Sequence, residues 1–400
     1  MSMRIIVRMA DVTGAPELMD IVAAHIDSTI YIGESCMEYA EKLVSLGAKV
    51  RVPTTLNVSG LDEEHWMDWP VPMDWAEKAH RQMVAYKSMG TVQTWTCAPY
   101  QTRHRPKFGQ QIAWGESNAI VFANSVIGAR TERYPDLLDI CCAITGRVPK
   151  RGLHLTENRA GDFLIRLVGV PLALQSSDDF YPVLGHLIGQ LSGERVPVIE
   201  GLEHRPTDDQ YKALGAAAAS SGTVALFHVV GHTPEAPTLD EAFQDKSYKS
   251  YKTYEIAMSE LCAARDELSS FEGERIDMVV LGSPHYSLDE FRALLPLISG
   301  RERSSSTRFL VTTGRLVRQV LAGNGMLTEL EWFGVQLTVD TCPLATPMLP
   351  PDVKVLMTNS GKYAYYSPSL LGVEVVYGST ADCVESAVRG KVVRDDSLWV

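Results

Sequence analysis

IDMVVLGSPHYSLDEFRALLPLI (Ile276–Ile298) reads in three steps. The apolar run Ile276–Leu281 has the length and composition of a buried strand. A polar turn, GSPHY, follows. Ser287 with Glu290 three residues on is a capping box, which predicts a helix running to Ile298. The same order recurs downstream. The strand Arg308–Thr312 ends in TTGR before a helix Leu316–Ala322, and Leu337–Val339 ends in DTCPL. Val353–Thr358 ends in NSGKYAYY, and Val373–Val376 ends in GST before a helix Ala381–Val388. Upstream, Val224–Val230 ends in GHT. Strand, polar loop and helix in repetition predict an α/β fold, with parallel or mixed sheets flanked by helices. Ligands of such sheets sit at the carboxyl ends of the strands, so the polar loops are expected to share a face.

The N-terminal half is less regular. Apolar spacing predicts helices over residues 16–26, Ser35–Leu46 and Trp75–Met89, with strands at Lys49–Val52 and Val92–Trp95. Ile112–Asn124 reads as a small-residue helix or buried loop, and Asp162–Leu174 as a strand. Helices are expected at Tyr181–Ser192, Thr207–Ser220 and Lys252–Leu268, a strand at Arg195–Glu200, and a weak domain boundary near residues 200–240.

Composition narrows the function. Lys plus Arg is 37 and Asp plus Glu is 49, so the formal charge is 37 − 49 = −12. An acidic chain is a poor partner for nucleic acid or an anionic membrane. There is no apolar run long enough for a transmembrane helix and no signal peptide in the first residues, so a cytoplasmic protein is expected. Seven dispersed cysteines do not form a disulfide framework; reduced thiols, some of them metal ligands, fit better.

Chemistry-bearing residues concentrate between Gln93 and Arg159. TWTCAPYQ (Thr94–Gln101), IAWGESNAIVFANSVIGAR (Ile112–Arg130), DICCAITGRVP (Asp139–Pro149) and GLHLTENRA (Gly152–Ala160) combine thiols, amides, hydroxyls and arginines between Gly and Pro breaks. Cys97, Cys142 (or Cys141) and Cys342 stand in loop or strand-end settings, and thiolate is the soft donor that iron–sulfur clusters use. No CxxC joins them, and buried free cysteines are common. Arg130, Arg147 and Arg159 suit bidentate capture of a small carboxylic acid, or surface salt bridges. HExxH, GxGxxG, Walker A and GxSxG motifs are all missing.

Several of these strings, in this order, resemble the large catalytic subunit of the aconitase X family: VRVPTTLNVSG, TWTCAPY, IAWGESNAIVFANSVIGAR, DICCAITGRVPKRGLHLTENRA, LGSPHYSLDE, VDTCP and TNSGKYAYY. The resemblance implies an aconitase-like multi-subdomain α/β architecture over residues 1–400 with the site between subdomains. Residues 1–200 plus the C-terminal part, and residues 200–335, are the expected subdomains. It implies an iron–sulfur hydro-lyase acting on a small hydroxy acid, with iron as Lewis acid. A small swivelling domain is implied as a separate partner subunit, since the sequence stops at Val400. Carried over by motif, cluster thiolates fall at Cys97 and Cys342, and a neighbouring thiol, Cys142 or Cys141, is the candidate third ligand. Ser283 stands where the phosphomevalonate branch resembles GCPH. That departure favours a two-iron 2Fe-2S cluster over 3Fe-4S or 4Fe-4S forms, and favours the hydroxyproline branch. Ser59 is the expected base; Glu116, Ser117, Asn118, Asn158, Arg159 and Lys362 are the expected substrate-positioning residues. The expected reaction is dehydration of cis-3-hydroxy-L-proline to Δ1-pyrroline-2-carboxylate. The alternatives are dehydration of mevalonate 5-phosphate and a cluster-free, non-catalytic binding subunit.

Overall fold

The computed structural model describes residues 1–244 and 251–400. The strand-turn-helix grammar of the C-terminal third becomes a five-stranded, all-parallel sheet. Its order is Val335–Val339, Arg308–Thr313, Met278–Leu281, Val355–Thr358, Glu374–Tyr377. Met278–Leu281 is central and fully buried on both faces, which explains its unbroken apolar run. The capping box predicted at Ser287 forms: its hydroxyl accepts from the Glu290 N–H and the Glu290 carboxylate accepts from the Ser287 N–H. The helix Leu288–Ile298 then packs on the sheet through Phe291, Leu294 and Ile298.

A second parallel sheet runs His228–Val229, Pro197–Glu200, Phe163–Leu167, Thr253–Ile256. Its helices Phe180–Ser192 and Asp208–Ser221 approach very closely. A Cβ added at Gly185 would lie 2.3 Å from the Leu214 carbonyl oxygen, so glycine and the alanines facing it set the spacing. Helix Gly361–Leu371 docks on the same pair; a Cβ at Gly361 would come within 3.1 Å of Ala217. This docking fixes where the next residue, Lys362, points.

The N-terminal part holds a three-stranded parallel sheet, Thr54–Leu56, Ala23–Ile26, Ile112–Trp114. A short antiparallel pair, Leu18–Asp20 with Arg147–Pro149, lies beside it. Its helices are Ser2–Val12, Glu34–Ser45, Met73–Ser88 and Leu138–Thr145. One apolar cluster runs from this part through the second sheet to the inner face of the third, and a second cluster fills the outer face of the third. The architecture is a multi-subdomain α/β fold.

Several expectations are corrected. Residues 16–26 form two short strands rather than a helix; Ala24, His25 and Ile26 are buried in succession, and tertiary pairing outweighs helical apolar spacing. The strand after Gly47 falls at Thr54–Leu56, beyond Pro53, rather than at Lys49–Val52. Val92 makes one bridge to Thr55 and no strand. Lys252–Leu268 divides into an edge strand, Thr253–Ile256, and a helix, Met258–Glu267. The boundary expected near residues 200–240 falls inside the second sheet, between strands hydrogen-bonded to each other. The sheets divide the chain instead after residue 150 and before residue 278.

Candidate active site

Loops from all three parts meet around Cys97. After the Thr94–Thr96 segment, whose Thr94 hydroxyl and Thr96 N–H bond Leu56, the chain turns into PYQ and leaves the Cys97 thiol half-exposed. The His285 backbone N–H, in the GSPHY turn, donates to Cys97 Sγ at 3.2 Å. His285 then ties two loops together: Nδ1 lies 3.1 Å from Thr96 Oγ1 and Nε2 lies 3.0 Å from the Thr341 carbonyl. A carbonyl can only accept, so Nε2 carries the proton and Nδ1 accepts from the threonine. Burial keeps the ring neutral, with its pKa down at about 4. Thr341 precedes Cys342, so this one imidazole spans both thiol-bearing loops.

Lys362 enters from the first turn of its helix. Nζ bonds Glu116 Oε1 at 2.7 Å, with 15% and 6% of the two side chains exposed. Glu116 is itself the N-cap of helix Ser117–Phe122: Oε2 accepts from the Ala119 N–H at 2.9 Å and from Asn118 Nδ2. Ser117 Oγ adds a weaker contact to Oε1 at 3.3 Å. Asn118 also donates to the Cys97 carbonyl at 3.0 Å and accepts from the Tyr100 hydroxyl at 2.7 Å. The GESN string therefore builds one polar knot beneath Cys97.

Burial, then Glu116, pushes the Cys97 thiol up to about 12, against the pull of Lys362 and the His285 N–H. Burial raises the Cys342 thiol too, opposed by Lys362 and by the N–H groups of Leu344 and Ala345. Burial alone would lower Lys362, but Glu116 and both thiols outweigh it and hold the ammonium above its ordinary value. Asp27, half-buried at the end of the central N-terminal strand, completes the group. Burial, then Glu116, Asp136 and Asp139, raise its carboxyl well above the carboxylate range, with only Lys362 opposing.

Six of the ten expected site residues stay with this centre or support it directly: Cys97, Cys342, Glu116, Ser117, Asn118 and Lys362. Four do not. Cys142 is fully buried on helix Leu138–Thr145, and its electrostatic neighbours are Asp139 and Cys141 rather than Cys97 or Cys342. Arg159 is fully buried and spends its guanidinium on Glu235 at 3.0 Å, on both oxygens of Asn124 and on the Leu153 carbonyl. It is a structural ion pair with no donor left for substrate. Asn158 is exposed and bonds the Gly152 carbonyl at 3.0 Å, closing its own turn. Ser59 Oγ is fully buried and faces two carbonyls, Leu61 at 3.0 Å and Asp340 at 3.1 Å, while accepting from the Leu61 N–H. Its proton is committed to fastening the VSG loop to the DTCP loop. Asp27 was missed in the sequence because it follows directly on residues 16–26, whose strand Ala23–Ile26 was read as a helix.

Two thiols and a buried carboxylate–ammonium pair, carried on loops of an α/β scaffold, make up the polar centre of the molecule. The chain belongs to the aconitase X family. Residues 1–157, 161–266 and 276–389 match the models of the aconitase X first, second and third domains. The chain is 45% identical over 404 aligned residues to a cis-3-hydroxy-L-proline dehydratase of Pseudomonas aeruginosa, covering 100% of this chain and 69% of that protein. A protein of the same name from Hypocrea jecorina is 41% identical, with 97% and 65% covered. The phosphomevalonate dehydratase large subunit of Methanothermobacter thermautotrophicus is 36% identical, with 94% and 91% covered. The crystal structure of Thermococcus kodakaraensis aconitase X in its holo form superposes with a TM-score of 0.84 at 31% identity, covering 96% of this chain and 94% of that one.

The family suggests an iron–sulfur cluster, and the donors here fit one in part. Cys97 and Cys342 are soft, partly buried, and supplied with N–H groups of the kind that stabilise coordinated sulfur. Among the described residues, no three His, Cys, Asp or Glu are already gathered at metal-binding spacing. No helix among them is long and apolar enough to cross a membrane.

Proposed function

We propose that this protein is a hydro-lyase that removes water from cis-3-hydroxy-L-proline, giving an enamine that becomes Δ1-pyrroline-2-carboxylate. The observation that carries the substrate assignment is the 45% identity to the Pseudomonas aeruginosa dehydratase across the whole chain. The charge inventory of the cleft supports it. Lys362 is the cation there, whereas Arg159, Arg315 and Lys212 are committed to Glu235, to Asp340, and to Asp209 with Glu290. One ammonium suits one substrate carboxylate; a phosphate ester calls for more donors.

In this reading Cys97 and Cys342 hold an iron–sulfur group, 2Fe-2S being the form we favour. When bound, it supplies a Lewis acid for the departing hydroxyl. Lys362 binds the substrate carboxylate, and Glu116 holds Lys362 charged and aimed. Asn118 fixes Glu116 relative to the Cys97 backbone, and Ser117 gives the carboxylate a further donor. Ser59 fastens the two loops, and the α-proton goes to a base of the assembled site. A small swivel-domain subunit in the cytoplasm is the partner we propose, supported by the large-subunit names of the phosphomevalonate relatives. The test is turnover of cis-3-hydroxy-L-proline, trans-3-hydroxy-L-proline and mevalonate 5-phosphate side by side. Loss of water from the cis isomer alone is expected; preferred turnover of the phosphate ester refutes the assignment.

A further inference from the structure

Behind the GSPHY turn lies a buried ammonium, Lys212, that the site described above does not use. It stands near the start of helix Asp208–Ser221, with 2% of its side chain exposed. The three N–H groups of the ammonium have three partners. They donate to Asp209 Oδ1 at 2.9 Å, to the Glu290 carboxylate, and to the His285 carbonyl at 3.3 Å. Burial alone would lower this ammonium, but Glu290 and Asp209 outweigh it and hold it at about 12. Both carboxylates tie further into the site. Asp209 accepts from Ser287 Oγ at 2.6 Å and from Gln101 Nε2 at 2.9 Å, and Glu290 accepts from the Ser287 N–H at 2.7 Å. Gln101 follows Cys97 by four residues, and Ser287 follows His285 by two. The node therefore grips both chain segments that meet at the Cys97 sulfur, from a helix that belongs to neither.

Close packing does not hold this turn. Gly282, Ser283 and Pro284 line a cavity of about 230 Å³ whose other walls include Lys212, Asp209 and Glu290. Hydrogen bonds hold it instead. Thr312 Oγ1 donates to the Gly282 carbonyl and Thr313 Oγ1 to the Tyr286 carbonyl, each at 2.7 Å, which fixes the two ends. Between them, Ser360 holds the Ser283 carbonyl and Lys212 the His285 carbonyl. The His285 ring is tied to Thr96 and Thr341, but a ring turns about its own side-chain bonds, so the backbone needs a separate tether. We propose that Lys212 is a positioning residue for Cys97: by holding the His285 carbonyl, it keeps the His285 N–H on the Cys97 sulfur. The role rests on the reading of Cys97 as a cluster ligand. An N–H donor to a ligating sulfur stabilises the more negative, reduced cluster and so raises its reduction potential.

The test uses the anaerobically purified protein with Lys212→Met and with Lys212→Met/Glu290→Gln. The single change strands two carboxylates. The double variant removes one of them, glutamine keeps the capping box, and Asp209 retains Ser287 and Gln101 as donors. Hydrogen exchange at the His285 amide, resolved by fragmentation mass spectrometry, reads the tether with or without a cluster. A hydrogen bond to a charged group contributes about 10- to 100-fold to an equilibrium, so this amide is expected to exchange at least about tenfold faster in the double variant. The amides of the strand Met278–Leu281 are expected to stay as protected as in wild type. The cluster's reduction potential is expected to move to a more negative value with iron retained. Lys212→Arg, which keeps a cation facing the carbonyl and has the adjoining cavity for its extra bulk, is expected to restore both. Loss of iron from the double variant but not from Lys212→Arg supports the proposal as the shift does. Unchanged exchange at His285 overturns the tether, and faster exchange with an unchanged potential overturns its effect on the cluster. Lost protection throughout Met278–Leu281 makes Lys212 a general structural residue and overturns the positioning role. A wild type that binds no iron refutes the reading of Cys97 as a ligand, while exchange at His285 still decides the tether.

Discussion

Replacing Lys362 by Met tests the electrostatic centre of the site. The pair with Glu116 is 2.7 Å long and mostly buried. At an effective dielectric of about 20, unit charges at that distance attract by about 6 kcal/mol. Desolvation costs several kcal/mol per ion, so the pair is near neutral in net stability. Losing one partner is different. Glu116 stays fixed by Ala119 and Asn118, its charge uncompensated and its exposure only 6%. Such a loss costs about 3–5 kcal/mol. The second substitution, Glu116→Gln, removes the orphaned charge and keeps an acceptor for the cap. Lys362→Met/Glu116→Gln is therefore expected to recover at least about 2 kcal/mol of what Lys362→Met loses. The assay is guanidinium unfolding followed by tryptophan fluorescence. Trp95 and Trp114, both fully buried and each two residues from a site residue, report on this region. If Lys362→Met loses under about 1 kcal/mol, or the two changes simply add, the pair is not the buried unit described here.

Other outcomes follow from the same contacts. Arg159→Met is expected to cost about 3–5 kcal/mol in unfolding experiments through the stranded Glu235, whereas Asn158→Ala leaves stability within about 0.5 kcal/mol and KM unchanged. Cys142→Ala should keep the iron content of wild type while losing about 1–2 kcal/mol of packing, as judged by metal analysis and denaturation. His25 is buried and neutral, its pKa lowered to about 3 by burial. The unfolded chain therefore binds one more proton at that site below about pH 6.5, and this contribution to stability, full above that pH, is lost as pH falls towards 3. The stability advantage of wild type over His25→Asn should narrow by about 1.4 kcal/mol per pH unit between about pH 6 and 4. A constant gap across that range contradicts the buried neutral ring.

Legibility in the sequence tracked how local the determining forces are. The C-terminal sheet was readable because buried parallel strands are unbroken apolar runs and the Ser287–Glu290 box marks its helix start. Residues 16–26 were not, because three- and four-residue strands draw their stability from partners distant in sequence, at Thr54–Leu56, Ile112–Trp114 and Arg147–Pro149. The site divides the same way. Glu116, Asn118 and Lys362 were marked by the resemblance that their GESN and TNSGKYAYY strings carry, while the cap that Glu116 forms shows only in the structure. Arg159 looked like a ligand clamp, since nothing local reveals that Glu235 and Asn124 claim its donors. Cys142 looked equivalent to Cys97 by its loop-rich setting, yet lies on a buried helix. His285, which no motif in the sequence singles out, bridges the loops of Cys97 and Cys342 through contacts 189 and 56 residues apart.

The most direct measurement is the iron and acid-labile sulfide content of anaerobically purified protein, wild type against Cys97→Ala and Cys342→Ala. The account predicts a coloured, iron- and sulfide-containing wild type and a colourless, iron-free protein from each variant. A wild type without iron that still dehydrates cis-3-hydroxy-L-proline, or a Cys97→Ala variant with full iron content, would contradict it.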